Sequence, residues 1–586
     1  MQRGHEVEAA KQVADFSQVQ GTGQEISQNV KNQKVWVLGL DGATLDLVRP
    51  WAAEGHLPTM ARLIHKGVTG DLQSTYPPLT GPAWSSFMTG QSPAHHGVLE
   101  FFRREPGTYR QVLNSQRDLA GKTLWRLLSE QGKRVGVMGV PLTYPPEEVN
   151  GFLITGLLTP ADSRDFTYPR DLLGELEAAL GTYRLRHDEK YRRSDPEPFI
   201  REQYEILENN TQAALYLMRT KPWDFFMVHL LGTDRIQHEF WHLLDPTHPQ
   251  HDPTERERYG NVVLDFFKAV DEAVGRMLDV LDDEVVVLVM SDHGFGKVRN
   301  FVNFNTWLLQ QGLLRLKRHP LTGFRYLLFR LGINYSTAAR WVLRLGLGKQ
   351  VMEMGRARRE DLQRRLFLSL DDVDWSRSKM YSIGNFGQLY VNLQGREPQG
   401  IVAPGDEYEA VLSDLEARLR ALIDPETGEP VIAKMWRRGE VYDGPYAEQA
   451  ADLMFLTRNM EYKAMGLSDF SSPRVFDPMY GTTGHHRMNG VMIWHGPPGT
   501  VREDVQLQGA RIYDLAPTIL YLLGQPIPRE MDGRILLDVF TDEFRQQHTV
   551  TYADTDDTFV KEGDQVYSEQ EQAEMREMLR ALGYVT

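Results

Sequence analysis

Short apolar runs alternate along the chain with longer segments whose apolar residues recur at helical spacing, a pattern that predicts an α/β fold. KVWVLGLDG, from Lys34 to Gly42, is a Val- and Leu-rich run that stops at Asp-Gly, as a buried parallel strand would. Helical patterns follow at Pro58 to His65 and Lys122 to Gln131, then the strand-like RVGVMGV. DFFMVHLLGTD, ending near Asp234, and EVVVLVMSDHG, ending at Asp292 and His293, repeat the strand pattern. A long helical segment from Glu255 to Leu281 separates them. GVMIWHGP reads as a late strand and IYDLAPTILYLLG as the last helix of the core. The order implies a central, mostly parallel sheet with helices on both faces.

At 586 residues the chain exceeds one ordinary compact domain, so a core with an insertion is expected. Residues 1–33 are polar and Gln-rich and read as a disordered arm or a loosely docked helix. The core occupies 34–300 and resumes at 403–545, followed by a C-terminal tail at 546–586. Between them, 301–402 reads as a basic, largely helical insertion or cap. From Gln311 to Arg365 thirteen Lys or Arg stand against three Asp or Glu, interleaved with Phe324, Tyr326, Leu327, Leu328, Phe329 and Trp341. Two arrangements account for this: apolar side chains packed on the core with solvated charges, or a basic surface for peripheral membrane or anionic-substrate contact.

A formal charge of −15 argues against general nucleic-acid binding, while a small phosphorylated substrate remains compatible with a local positive site. The absence of cysteine excludes disulfides, thiolate ligands and a cysteine nucleophile. Metal ligands must then be His, Asp, Glu or hydroxyl oxygen. No signal-peptide pattern or bilayer-spanning run is present, so a cytoplasmic location is expected.

Asp234 and His238 stand four apart, which on a helical turn places both on one face. Such a pair suits one metal, and equally a capping Asp beside a satisfied His. Asp292 and His293 adjoin at a strand end, and Asp41 ends the first strand, either as a ligand or as a helix N-cap. His485 and His486 lie between Gly484 and Arg487 before the late strand. Together these supply three Asp and three His near strand ends, where open α/β sheets place their ligand crevice, and they suffice for two divalent ions. In STYPPLTGPAWSSFMTGQSPAHHGV, Thr80 is expected at the N-cap of a helix with Pro82 in its first turn. Its hydroxyl would lie beside free backbone amides where phosphate can settle. Thr80 is thus either a plain cap or a nucleophile activated by metal.

The order Asp41, Thr80, Asp234 with His238, Asp292-His293 and a late histidine resembles the alkaline-phosphatase superfamily, most closely its type I phosphodiesterase and nucleotide pyrophosphatase branch. The resemblance runs from about Lys34 to Phe540 and implies an alkaline-phosphatase-like fold. It implies that Asp234, His238 and one late histidine hold a first ion, and that Asp41, Asp292, His293 and the Thr80 oxygen hold a second. His486 fits the family motif better, because His-Arg is followed by Gly490 and an apolar strand; His485 is the alternative. Zinc is implied by analogy, and the mixed ligand set also tolerates manganese. The implied activity is hydrolysis of a phosphate diester or monoester through a phosphothreonine on Thr80. Phosphodiesterases of this branch carry an asparagine shortly after the His-Gly that follows the nucleophile helix, where HHGVLEFFRRE offers Phe101. Substrate contact would then fall to Gly81 and to Arg103 or Arg104, whose guanidinium favours a more negatively charged phosphoryl group. WSRSKMYSIGNFGQLYVNLQGREP and IYDLAPTILYLLG look like a bacterial and archaeal phosphohydrolase or phosphomutase-like group. A phosphomutase of the same superfamily and an idle metal-binding or membrane-surface protein are the competing functions.

Overall fold

Strand β1 (Lys34–Leu40) buries side chains on both its faces: Val35 and Val37 enter one apolar cluster, and Trp36, Leu38 and Leu40 a second. Alternate side chains point to opposite faces of a strand, so a run buried on both belongs inside a sheet covered on both sides. In the computed structural model, which describes residues 33–334, 337, 365–466, 470, 472–479, 481–554 and 566–584, β1 occupies that position. The expected N-terminal arm, apart from Gln33, and much of the basic stretch, including Trp341, lie outside the described residues.

Nine further strands complete the sheet: β2 (Val68–Gln73), β3 (Val135–Val140), β4 (Gly151–Thr155), β5 (Thr167–Tyr168), β6 (Phe225–Leu230), β7 (Val285–Met290), β8 (Asn489–His495), β9 (Val505–Gln506) and β10 (Ala510–Arg511). Their order is β9-β2-β8-β7-β1-β6-β3-β4-β5, with β10 also on β2. The run β7-β1-β6-β3-β4 is parallel throughout. β8, the GVMIWHGP run, enters antiparallel between β7 and β2. The fold is the expected alkaline-phosphatase-like α/β architecture.

Helices Thr80–Thr89, Leu124–Glu130, Leu515–Leu522 and Glu569–Ala581 supply buried side chains to the cluster on the Val35 side. Helices Leu45–Ala53, Pro58–His65, Glu197–Thr220 and Val262–Leu278 do so on the Trp36 side. The single helix expected from Glu255 to Leu281 is two, Pro253–Tyr259 and Val262–Leu278, because Gly260 interrupts the run.

Strands Met380–Ser382, Gln388–Val391, Leu453–Thr457 and Ile432–Arg437 form an antiparallel sheet that packs with helix Asp406–Arg420 around its own apolar cluster. Residue 402 therefore falls inside this lobe, since Gln388–Val391 pairs with Leu453–Thr457 across it. Within the basic stretch, helix Pro320–Arg330 buries Phe329 and leaves Phe324 and Leu327 about half exposed. Among the described residues no helix is long and apolar enough to cross a membrane.

Candidate metal centre

Three neighbouring strands, β6, β1 and β7, deliver Asp234 with His238, Asp41, and Asp292 with His293 beyond their carboxyl ends. Asp41 follows β1 and anchors its backbone N–H to the Leu230 carbonyl at 3.1 Å. The chain then turns at Gly42, with φ +67°, and the Gly42 N–H donates to Asp292 Oδ1 at 3.2 Å. A Cβ at Gly42 would stand 3.0 Å from Asp234 Oδ1, so the turn needs both the conformation and the space of glycine. The N-cap of helix Leu45–Ala53 is Thr44, whose hydroxyl accepts from the Asp46 N–H; the capping alternative for Asp41 is thereby corrected.

Helix Gly232–Leu244 starts directly after β6 and brings His238 Nε2 to 3.4 Å from Asp234 Oδ1. The chain after His293 becomes the strand Gly294–Lys297, which pairs antiparallel with Gly484–Arg487 and sets Phe295 opposite His486. Alternation along that strand separates the two histidines. His486 Nε2 lies 3.4 Å from Asp234 Oδ1 and its ring stacks on His293 with centroids 3.6 Å apart. His485 stacks on Phe386 at 4.6 Å, and among the described residues neither of its nitrogens has a hydrogen-bond partner.

Two groups of ligand atoms, Asp234, His293 and His486, and Asp41, Asp292 and His293, each lie within 4.8 Å of one another, and His238 is in neither group, its Nε2 standing 3.2 Å from His486 Nε2. His293 belongs to both. Thr80 Oγ1 is 3.3 Å from His293 Nε2. Leu79, in extended backbone, takes the N-cap position and Thr80 is the first helical residue, one place further in than its expected cap position. All these side chains are buried.

The hydrogen bonds around the centre fit this set to divalent ions. His238, His293 and His486 each have Nδ1 within hydrogen-bond distance of a backbone carbonyl, of Gly484, Gly294 and Pro78 respectively, which directs Nε2 inward. Each carboxylate has one oxygen held by a hydrogen bond, while Asp41 Oδ1, Asp234 Oδ1 and Asp292 Oδ2 are buried, accept no hydrogen bond among the described residues and face imidazole nitrogens instead. Buried carboxylate oxygens grouped within 4.8 Å of imidazole nitrogens are the donor set of cations. Burial, then the neighbouring Asp234, pushes the Asp41 carboxyl well up, and burial, then Asp41, does the same to Asp292. Burial also acts to raise Asp234, but His238 and His486 outweigh it and hold it well below the usual range. Burial depresses His293 strongly and takes His486 down to about 4, leaving neutral imidazoles ready to bind metal.

Arg103 and Arg104, the expected phosphate contacts, are both engaged by protein acceptors. Arg103 Nε donates to Asp118 at 2.9 Å, and Arg104 Nη1 donates to Glu397 and to the Tyr381 hydroxyl, each at 2.6 Å. Gly81 does adjoin the centre, and Phe101 closes over it, since a Cβ on Gly81 would be 3.1 Å from the Phe101 ring. The Phe101 ring is itself fully buried.

Three contributors escaped the sequence pattern. His229 Nε2 and Trp84 Nε1 both donate to Asp41 Oδ2, at 2.9 and 3.1 Å. His229 is the one imidazole within the apolar run FFMVHL, and Trp84 stands one helical turn after Thr80, so each left a faint signal. The Tyr584 hydroxyl donates to Asp234 Oδ2 at 2.8 Å, from a tail that offered none.

The family model for type I phosphodiesterase / nucleotide pyrophosphatase matches residues 35–466. No curated protein sequence matches the chain. Among solved structures, phosphonoacetate hydrolase from Sinorhizobium meliloti 1021, in complex with phosphonoformate, aligns with a TM-score of 0.51 and 14% identity, covering 84% of this chain and 95% of that one. Human ectonucleotide pyrophosphatase / phosphodiesterase 5 aligns with a TM-score of 0.46 and 12% identity over 87% of this chain and 100% of its own. With a family model matched from β1 through the second lobe, the chain belongs to the type I phosphodiesterase / nucleotide pyrophosphatase family of phosphoester-cleaving enzymes.

Proposed function

We propose that the chain is a two-metal phosphohydrolase in which Thr80 is the nucleophile. The observation that carries this reading is the placement of Thr80 Oγ1 at 3.3 Å from His293 Nε2, beside two ligand groups that share His293. Asp234, His238 and His486 would hold one divalent ion, and Asp41, Asp292, His293 and the Thr80 oxygen the other. The set suits zinc and tolerates manganese. Bound there, such ions would ease deprotonation of the Thr80 hydroxyl and offset charge on the phosphoryl oxygens.

The start of helix Thr80–Thr89 holds the threonine hydroxyl in place and presents free backbone amides to a phosphoryl group. The Thr80 hydroxyl gives its proton to solvent as its oxygen attacks phosphorus, the bond from phosphorus to the leaving oxygen breaks, and the leaving group takes a proton from solvent. Water then attacks the phosphothreonine, the bond from Thr80 to phosphorus breaks, and the hydroxyl is restored. The substrate class is a phosphate ester, diester or monoester, and Phe101 over Gly81 places an apolar surface at its phosphoryl end.

The test is Thr80→Ala, assayed on phosphomonoesters, phosphodiesters and sulfate esters with metal content measured in parallel. Turnover should vanish while two metal ions remain. Wild-type rates in that variant on every substrate turned over would remove Thr80 from the mechanism. Hydrolysis in oxygen-labelled water should place one solvent oxygen in the phosphate product; a product without label would indicate a phosphomutase.

A further inference from the structure

We infer that the C-terminal segment is a built-in part of the metal centre, with Tyr584 as the positioning residue for Asp234. This rests on the metal-centre reading above and extends it to residues some 350 positions away from the ligand they serve.

A carboxylate that binds an ion through one oxygen must be stopped from rotating, and a hydrogen bond on its other oxygen does this. Asp41 is fixed by His229 and Trp84 on Oδ2, and Asp292 by the Gly42 N–H on Oδ1. Those donors belong to the sheet, its first turn and the Thr80 helix. Asp234 is held from elsewhere: Oδ1 faces His238 and His486, and among the described residues the hydrogen bond to Oδ2 comes from the Tyr584 hydroxyl. The phenol ring is 1% exposed and packs on Phe101, His486 and His238, with centroids 5.3, 5.5 and 5.8 Å away.

The segment is fastened as a core element is. Lys463, itself 2% exposed, donates from Nζ to the Gly583 carbonyl at 2.7 Å, and Asn385 Nδ2 donates to the Tyr584 carbonyl at 2.7 Å. Leu579 and Leu582 are buried in the main apolar cluster, and the Tyr567 hydroxyl donates to the Leu158 carbonyl at 3.0 Å. Asn385 comes from the hairpin between Met380–Ser382 and Gln388–Val391 in the second lobe, and Lys463 from strand Tyr462–Met465, which pairs with Asn300–Asn303, so two separate sheets tie Gly583 and Tyr584 to the centre. A plug that leaves to admit substrate would need to give up these buried contacts together, whereas a permanent support keeps them.

The experiment measures zinc affinity of the full-length chain by chelator competition, for wild type, Tyr584→Phe and a chain ending at Gly583. Tyr584→Phe keeps the ring and removes the donor, so without metal it should still fold and melt cooperatively, at a somewhat lower temperature than wild type because a buried carboxylate oxygen loses its donor. One of the two zinc equivalents should bind about 10- to 100-fold more weakly in both variants, the other as in wild type. Unchanged affinity of both equivalents in Tyr584→Phe overturns the inference, as does phosphoester turnover that rises when Tyr584 is shortened, which would make the tail a plug. A wild-type chain that binds no zinc pair would sink the metal-centre reading itself, and this inference with it.

Discussion

His229 Nε2 donates to Asp41 Oδ2 at 2.9 Å, and this bond leaves Asp41 Oδ1 as the oxygen that faces the centre. The Trp84 indole donates to the same oxygen from the nucleophile helix, so strand β6 and helix Thr80–Thr89 aim one carboxylate together. His229→Ala should weaken binding of one zinc equivalent by about 10- to 100-fold, as loss of an outer hydrogen bond to a ligand does elsewhere. Trp84→Phe should act in the same direction and less strongly. Chelator competition reads both, and variants that hold zinc as tightly as wild type would show that these donors do not matter.

The two late histidines should separate cleanly. His486→Ala should lose one zinc equivalent, because its Nε2 meets Asp234 Oδ1 and Pro78 fixes its other nitrogen. His485→Ala should keep both, since its ring rests on Phe386. Metal analysis of the two purified variants decides the matter, and loss of an ion only in His485→Ala would transfer the ligand role.

Gly39 lies in β1 beside His229 of β6, and a Cβ there would stand 2.6 Å from the Trp84 ring. Gly39→Ala should destabilise the protein by about 1–3 kcal/mol through overpacking. Denaturant melts of Gly39→Ala and of Gly39→Ala combined with Trp84→Phe provide the check. The smaller ring should recover part of the loss, and strictly additive effects would rule out the clash.

A pH effect is expected outside the centre. His96 is fully buried, accepts the Val98 N–H on Nδ1, and has Nε2 2.9 Å from the Ser86 hydroxyl. Burial takes it down to about 3 from 6.5. The unfolded chain therefore binds a proton here that the folded chain refuses. The contribution of this site to stability is complete above pH 6.5 and falls as pH drops from 6.5 toward 3. His96→Gln should flatten the decline of melting temperature over that window relative to wild type, and a parallel decline would assign the titration to other groups.

Much of the centre was legible because local chemistry announces itself. Asp41, Asp292 and His293 end apolar runs, and Asp234 and His238 carry the four-residue spacing of a helical face. Thr80 was legible to within one helical position. The strands of the parallel core were readable for the same reason, since a run apolar on both sides has few other places to go. The antiparallel sense of β8 was not, because alternation fixes which face a residue takes and says nothing of direction. The carboxylate partners of Arg103 and Arg104 were not legible, because a charge close in sequence to the nucleophile can pair with Asp118 or with the distant Glu397.

The sequence by itself determined the strand ends, the helical pairing of Asp234 with His238 and the order of ligand types, all set by residues within a few positions of one another. Only the tertiary structure decided which oxygen of each carboxylate faces inward, that His486 turns in while His485 turns to Phe386, and that Tyr584 reaches Asp234 from the end of the chain. Those outcomes depend on donors and packing partners from other strands, helices and the tail, and chain folding alone brings such groups within hydrogen-bond reach.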